Sequence, residues 1–171
     1  MKAQIFPSEY ARRRDETTGA AVHQLTAAAC INHATYFLQS SLTPDQRCLI
    51  FTSYRGGSAQ LYSVEDFPGG EIRQWTDGEA IHGFSPAIHP DGEQVFFVRG
   101  GSIWAIDRRT LRERCVVSWE NAQLGEVALS ADAEWLTAAV KQGGQNGIVA
   151  GRGNWIRWRV IPHERKVIEQ G

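Results

Sequence analysis

Two histidines stand just ahead of predicted strands, where an imidazole can face a ligand: His33 in Asn32-His33-Ala34 and His82 in Ile81-His82-Gly83-Phe84-Ser85. Such rings can accept a hydrogen bond or contribute to a metal site. The alternative, with one histidine per segment and no ligand spacing met, is that each bonds a backbone carbonyl or faces solvent. Two arginines offer a second chemistry. Arg55 follows Phe51-Thr52-Ser53-Tyr54, and Arg99 ends Gln94-Val95-Phe96-Phe97-Val98. A guanidinium at the end of an apolar run can grip a carboxylate through two parallel bonds, or be an ordinary exposed turn arginine. His33, Arg55, His82 and Arg99 are therefore the candidate ligand-binding residues. His89 occupies a turn position filled elsewhere by Thr or Ser and reads as structural, and neither His23 nor His163 reads as a ligand. No nucleophile motif, phosphate loop or carboxylate pair is visible, so no residue is assigned as catalytic or metal-binding. The glycines at 143, 144, 151 and 153 lack the strand–helix context of a nucleotide fingerprint.

The elements that must position these residues show themselves as a repeat. Leu42-Thr43-Pro44-Asp45-Gln46 precedes the apolar run Cys48–Ser53, Ile88-His89-Pro90-Asp91-Gly92 precedes Gln94–Val98, and Leu129-Ser130-Ala131-Asp132-Ala133 precedes Trp135–Val140. The spacing is 46 and then 41 residues (positions 42, 88 and 129). A period of this length, with short strands between turn signals, is that of β-propeller blades. Each unit reads as four strands. The first has an inner strand near Thr35–Leu42, then Arg47–Ser53, Gln60–Val64 and Glu71–Trp75. The second reads Gly83–Ile88, Gln94–Arg99, Ser102–Asp107 and Glu113–Trp119. The third reads Glu126–Leu129, Trp135–Lys141, Trp155–Ile161 and Lys166–Glu169, with a Gly-rich loop over Gln142–Asn154. The predicted fold is all-β: a β-propeller fragment of three four-stranded antiparallel blades (35–76, 83–119 and 126–170) plus an N-terminal orphan outer strand over 20–26. That last strand rests on the likeness of Val22-His23-Gln24-Leu25-Thr26 to Ile72-Arg73-Gln74-Trp75-Thr76.

Six Trp and 17 Gly suit aromatic-filled strands joined by tight turns. Trp75, Trp104, Trp119 and Trp135 read as packing residues, while Trp155 and Trp158 share a strand face alternating with Arg157 and Arg159. A net charge of −1 provides no field for nucleic acid or an anionic membrane, and Arg12-Arg13-Arg14 is answered at once by Asp15 and Glu16. Cys30, Cys48 and Cys115 are too widely spaced for a zinc knuckle or redox pair; Cys48 and Cys115 read as small buried hydrophobes. The N-terminus lacks a signal-peptide core, and no stretch approaches the roughly 20 apolar residues of a membrane span. A cytoplasmic location is the expectation.

The repeats resemble TolB-like propeller units, and the N-terminal stretch is more specific. Phe6-Pro7-Ser8-Glu9-Tyr10, Asp15-Glu16-Thr17-Thr18-Gly19 and His23-Gln24-Leu25-Thr26 resemble the opening of oligogalacturonate lyases. Asn32-His33, Tyr36-Phe37, Phe51-Thr52-Ser53-Tyr54-Arg55 and Ile81-His82-Gly83-Phe84-Ser85 fit the same pattern. The resemblance implies the N-terminal part of a seven-bladed enzyme that splits pectin-derived oligouronides by β-elimination. That reaction needs a base for the proton α to the carboxylate, a cation for the developing enediolate charge, and a leaving glycosidic oxygen. It also implies that the base and a histidine-rich Mn²⁺ site lie on later blades. No cofactor is then expected in this chain, and catalysis by it alone is expected to be incomplete. An oligogalacturonide is the implied ligand. The alternative is a non-catalytic assembly module that forms a homo-oligomer or pairs with a chain supplying the missing blades, because terminal blades expose faces that normally pack.

Overall fold

The computed structural model describes residues 2–152 and the backbone of 157–162. Two short strands, β1 (Ile5–Phe6) and β2 (Ala11–Arg14), are followed by β3 (Ala21–Gln24). The first blade comprises β4 (Asn32–Ala34), β5 (Leu49–Ser53), β6 (Gln60–Val64) and β7 (Ile72–Gln74). The second comprises β8 (Ala87–Ile88), β9 (Gln94–Arg99), β10 (Ser102–Asp107) and β11 (Glu113–Ser118). The third comprises β12 (Ala122–Leu129), β13 (Trp135–Gln142), β14 (Gln145–Arg152) and β15 (Arg157–Pro162). Each blade is an antiparallel meander; β1 adds a fifth strand to the outer edge of the first, and β2–β3 form a separate hairpin. No helix among the described residues is long and apolar enough to cross a membrane.

The repeated turn is the same structure three times. Thr43 Oγ1, His89 Nδ1 and Ser130 Oγ each bond the Asp two residues on, and that Asp accepts the N–H of Arg47, Glu93 or Glu134. The Thr43 hydroxyl, then the Arg47 N–H, hold the Asp45 carboxyl at about 2, below its ordinary 3.8. After each Asp the chain takes a left-handed residue: Gln46, Gly92 and Ala133, with φ of 56°, 77° and 56°. Only glycine adopts that conformation without a steric penalty. Ala133→Gly is therefore expected to raise stability by about 0.5–1 kcal/mol, read as a higher urea midpoint at an unchanged denaturant slope.

The order of the strands agrees with the repeat, while two placements differ. The inner strand of the first blade is Asn32–Ala34 rather than a strand beginning at Thr35. Residues 35–41 instead fold into a turn closed by Thr35 Oγ1 and Ser41 Oγ at 2.9 Å, and the Leu42–Leu49 bridge follows. In the third blade the expected Gly-rich loop is a hairpin. Gly143 and Gly144, both at positive φ, turn β13 into β14, and Arg157–Pro162 is the fourth strand rather than the third. Gly147 and Gly151 lie opposite Val140 and Leu136, so the glycines sit within a strand beside bulkier partners. The fourth strand predicted at Lys166–Glu169 lies outside the described residues, as do Trp155 and the side chains of Arg157, Trp158 and Arg159.

The blades stack face to face. Cys48, Ile50, Leu61, Trp75 and Ile81 meet Val95, Phe97, Ile106 and Leu111 at the first seam. Phe96, Val98, Ile103 and Ala105 meet Leu124, Val127, Leu136, Ala138 and Val140 at the second. The other face of the first blade (Phe51, Tyr62, Val64, Ile72) is covered by Phe6 and Leu25. The segment over 20–26 thus stands outside the three blades but imitates the end of a blade. Gln24 Nε2 donates to Thr26 O at 3.0 Å just as Gln74 Nε2 donates to Thr76 O at 2.8 Å, and Leu25 packs on its seam as Trp75 does on the next.

Alternation along a strand decides two residues that the sequence reading had buried. Trp135 is 42% exposed because Leu136 takes the seam, and Trp135 points to the outer face of the third blade beneath Arg152 (5.6 Å). Cys115 is exposed on the edge strand β11, whereas Cys48 is buried and its thiol is pushed up to about 12, chiefly by burial.

Candidate functional site

The first strands of the blades share one side of the molecule. A cavity of about 510 Å³ there is walled by parts of residues 36–44, 88–90 and 126–131, and Gln39 Nε2 crosses it to donate to Val127 O at 2.5 Å. Its lining includes the Glu126 carboxylate and no Lys or Arg, a poor match for an anion.

His33 lies on β4 opposite Thr52, at the seam with the second blade. Its ring stacks on Phe84 with centroids 4.2 Å apart and planes 25° apart; the Tyr54 ring is 6.2 Å away. Nδ1 is 3.0 Å from Ala34 O. A carbonyl oxygen only accepts, so Nδ1 carries the hydrogen, and in the neutral ring Nε2 is an acceptor. The close approach depends on Gly83, where a Cβ would stand 3.0 Å from Cε1 and Nε2 of His33. Thr52 Oγ1 fixes that glycine by donating to its carbonyl at 2.7 Å. Beside the stack is a cavity of about 350 Å³ lined by His33, Ala34, Thr35, Tyr36, Phe37 and Phe84.

His82 is exposed one residue before Gly83. Its carbonyl accepts from Ser85 N (2.9 Å) and Ser85 Oγ (2.7 Å), which shapes the turn that presents Phe84. The two histidines therefore belong to one neighbourhood. Phe84, Tyr54 and Gly83 enter the sequence only as parts of the resembling motifs, and it is the seam that brings them against the His33 ring.

Both arginines lie apart from this cluster. The Arg55 side chain is 6% exposed and packs over Phe6 (5.1 Å), Tyr62 (5.2 Å) and Phe51 (6.0 Å). Its Nη1 meets Glu9 Oε1 at 3.1 Å and its Nε meets Ser53 Oγ at 3.2 Å. Glu9 Oε2 also accepts from the N–H groups of Ala27 (2.6 Å) and Ala28 (3.2 Å). The Arg99 side chain is 10% exposed, lies over Phe97 (5.2 Å) and Trp104 (5.4 Å), and pairs with Glu113 at 2.6 Å, which Lys2 also reaches at 2.7 Å. The cages are built alike, on the cross-strand pairs Phe51–Tyr62 and Phe97–Trp104. In each, a carboxylate of this chain meets Nη1, while Arg55 Nη2 and Arg99 Nε and Nη2 are buried without a hydrogen-bond partner.

Residues 1–143 match the family model described as oligogalacturonate lyase. This chain belongs to the oligogalacturonate lyase family. Among solved structures, an oligogalacturonate lyase in complex with manganese superimposes with a TM-score of 0.84 at 21% identity, over 93% of this chain and 48% of that one. An oligogalacturonate lyase from Vibrio parahaemolyticus gives 0.83 at 19% identity, over 94% and 48%. TolB from Acinetobacter baumannii gives 0.66 at 19% identity, over 90% and 37%. At these identities the likeness is one of fold, a propeller, and this chain spans about half the length of the lyases it matches. Comparison with curated proteins finds no match. The first of these lyases carries manganese. No three His, Cys, Asp or Glu among the described residues come together in a way that could hold a metal ion, so no step of this chain is routed through one.

Proposed function

We propose that this chain contributes the front blades of a cytoplasmic oligouronide-binding propeller of the oligogalacturonate lyase type. In this reading it holds a pectin-derived oligogalacturonide at its inner strands, and β-elimination requires groups from outside these residues. The observation that carries the reading is the family match over residues 1–143, and His33 and His82 are its candidate ligand-binding residues. Arg55 and Arg99 support the bound sugar indirectly, by holding the framework through Glu9 and Glu113. Incubation with digalacturonate, with and without Mn²⁺, is expected to leave the disaccharide intact as judged by ultraviolet absorbance of unsaturated product. Turnover within the assay time would overturn the division of labour.

A second reading, an assembly module, is favoured by one feature. Trp135 and Ile148 are about half exposed together on the outer face of the third blade, where the equivalent faces of the other two blades are packed. Light scattering separates the two: concentration-dependent association, lost in Trp135→Lys, supports assembly, and a monomer at all concentrations opposes it.

A further inference from the structure

We infer that the His33–Phe84 stack and the cavity beside it form a subsite for a single pyranose ring, recognised by its apolar face and one hydroxyl and not by its carboxylate. The inference rests on the oligouronide reading above for the identity of the sugar, and adds where a ring sits and what it is recognised by.

Three observations carry it. The first is the ring pair. Phe84 is 47% exposed although its other side lies on the His33 ring, so an aromatic surface is presented to solvent by a rigid backing. A buried Phe would need no such backing, and an isolated surface Phe would not have one. Aromatic surface of this kind removes the C–H face of a sugar from water, which is favourable in proportion to the apolar area covered. The second is the cavity beside it. Its 350 Å³ lies in the range of small-molecule sites, and none of its six lining residues is an acid, Lys or Arg. Walls without a carboxylate, Lys or Arg suit the neutral part of a uronide and contain no permanent counter-ion for a carboxylate. The two arginines that could have supplied one are paired elsewhere with Glu9 and Glu113. The third is the fixed imidazole. The bond from Nδ1 to Ala34 O leaves Nε2 of the neutral ring as an acceptor beside Gly83, and the Tyr54 hydroxyl borders the same glycine. A sugar hydroxyl can donate to the first and accept from the second.

The test uses the whole chain and calorimetric titration with two probes, digalacturonate and neutral galactobiose. The expected result is that both bind within about threefold of each other, and that Phe84→Ala weakens both about tenfold, the loss of one aromatic contact. Gly83→Ala is a second variant that keeps every ring. Its Cβ would stand 3.0 Å from Cε1 and Nε2 of His33, so the ring must give by a few tenths of an ångström, and the variant is expected to weaken both probes by less than Phe84→Ala does while the thermal midpoint stays near that of the wild type. If both variants bind both probes as tightly as the wild type, the subsite is overturned while the oligouronide reading stands. If galactobiose binds with the expected sensitivity and digalacturonate does not bind, the subsite stands and the oligouronide reading falls. If digalacturonate binds at least tenfold more tightly than galactobiose in a Phe84-dependent manner, a carboxylate is recognised here and the inference is overturned as stated. If neither probe binds, both are overturned.

Discussion

Glu9→Gln is expected to cost about 2–3 kcal/mol of stability, somewhat below the 3–5 kcal/mol of a fully buried pair because the Glu9 side chain keeps a margin of exposure. The reason lies with its partner. Arg55 is enclosed by Phe6, Phe51 and Tyr62, and its Nη2 has no partner even in the native structure. Without the Glu9 charge, a guanidinium remains in an aromatic cage with no counter-charge and only Ser53 Oγ and the ring faces to offset its lost hydration. The same carboxylate holds the N–H groups of Ala27 and Ala28, so its loss also loosens the segment that lays Leu25 on the first blade. Arg55→Met in the Glu9→Gln background is expected to recover part of the loss, since an unbranched apolar chain suits the cage and leaves no buried charge. Urea unfolding of the two single variants and the double variant measures the coupling.

The pH dependence has a defined sign. Burial pushes the Glu9 carboxyl up, but the Ala27 N–H, the Arg55 charge and hydrogen bond, and the Ala28 N–H more than offset it, leaving it below the ordinary 4.5. A depressed folded value means that the stabilisation is complete above the unfolded value and is lost as pH falls through the folded one. The difference between wild type and Glu9→Gln should therefore be widest near neutrality and shrink as pH drops below 4.5. A difference that stays constant through that range would show that Glu9 acts by packing rather than by charge.

Trp75→Ala is expected to cost about 3–5 kcal/mol, the range for removing a large buried aromatic. Trp75 is fully buried at the seam between the first two blades, among Cys48, Ile50, Leu61, Val95 and Phe97. Its Nε1 donates to Ser63 Oγ at 2.8 Å, and that hydroxyl donates onward to Glu65. Truncation leaves a cavity between two sheets that meet mainly through such side chains and also deprives the buried Ser63 of its donor. Trp75→Phe keeps most of the volume and loses only the bond, so a smaller loss of about 1–2 kcal/mol is expected. If Ala and Phe proved equally costly, the hydrogen bond rather than the seam would be what Trp75 contributes.

The blades were legible in the sequence because their turn is chemical as well as periodic: Thr43, His89 and Ser130 each precede an Asp by two residues, and all three turns form the same contacts. Even the faint likeness of 22–26 to 72–76 proved to be a shared Gln-to-Thr bond and a shared packing position. What was not legible is what depends on parity and on chains meeting from afar. Trp135 and Leu136 are neighbours with opposite fates, and composition does not say which one the seam takes. The Gly-rich stretch after Gln142 reads as a loop until Val140 and Leu136 are seen to sit across from Gly147 and Gly151. Arg55 reads in the sequence as either a carboxylate-binding or an exposed turn arginine because its partner, Glu9, is far away in the chain, and the part of β1 in covering it is invisible in a two-residue strand. His33 and His82 stood out for their place before predicted strands, although His33 lies on β4 itself, and the ring contacts of His33 with Phe84 and Tyr54 needed the fold.

One titration decides whether these blades hold an oligouronide without cleaving it. Digalacturonate is added to the full chain with Mn²⁺ present, and the amide resonances of the protein and the anomeric resonances of the sugar are followed together. Saturable shifts centred on residues 33, 54 and 82–84 are expected, with the sugar spectrum unchanged at the end point. Appearance of unsaturated sugar resonances, or saturation with no shift in those residues, would contradict this expectation.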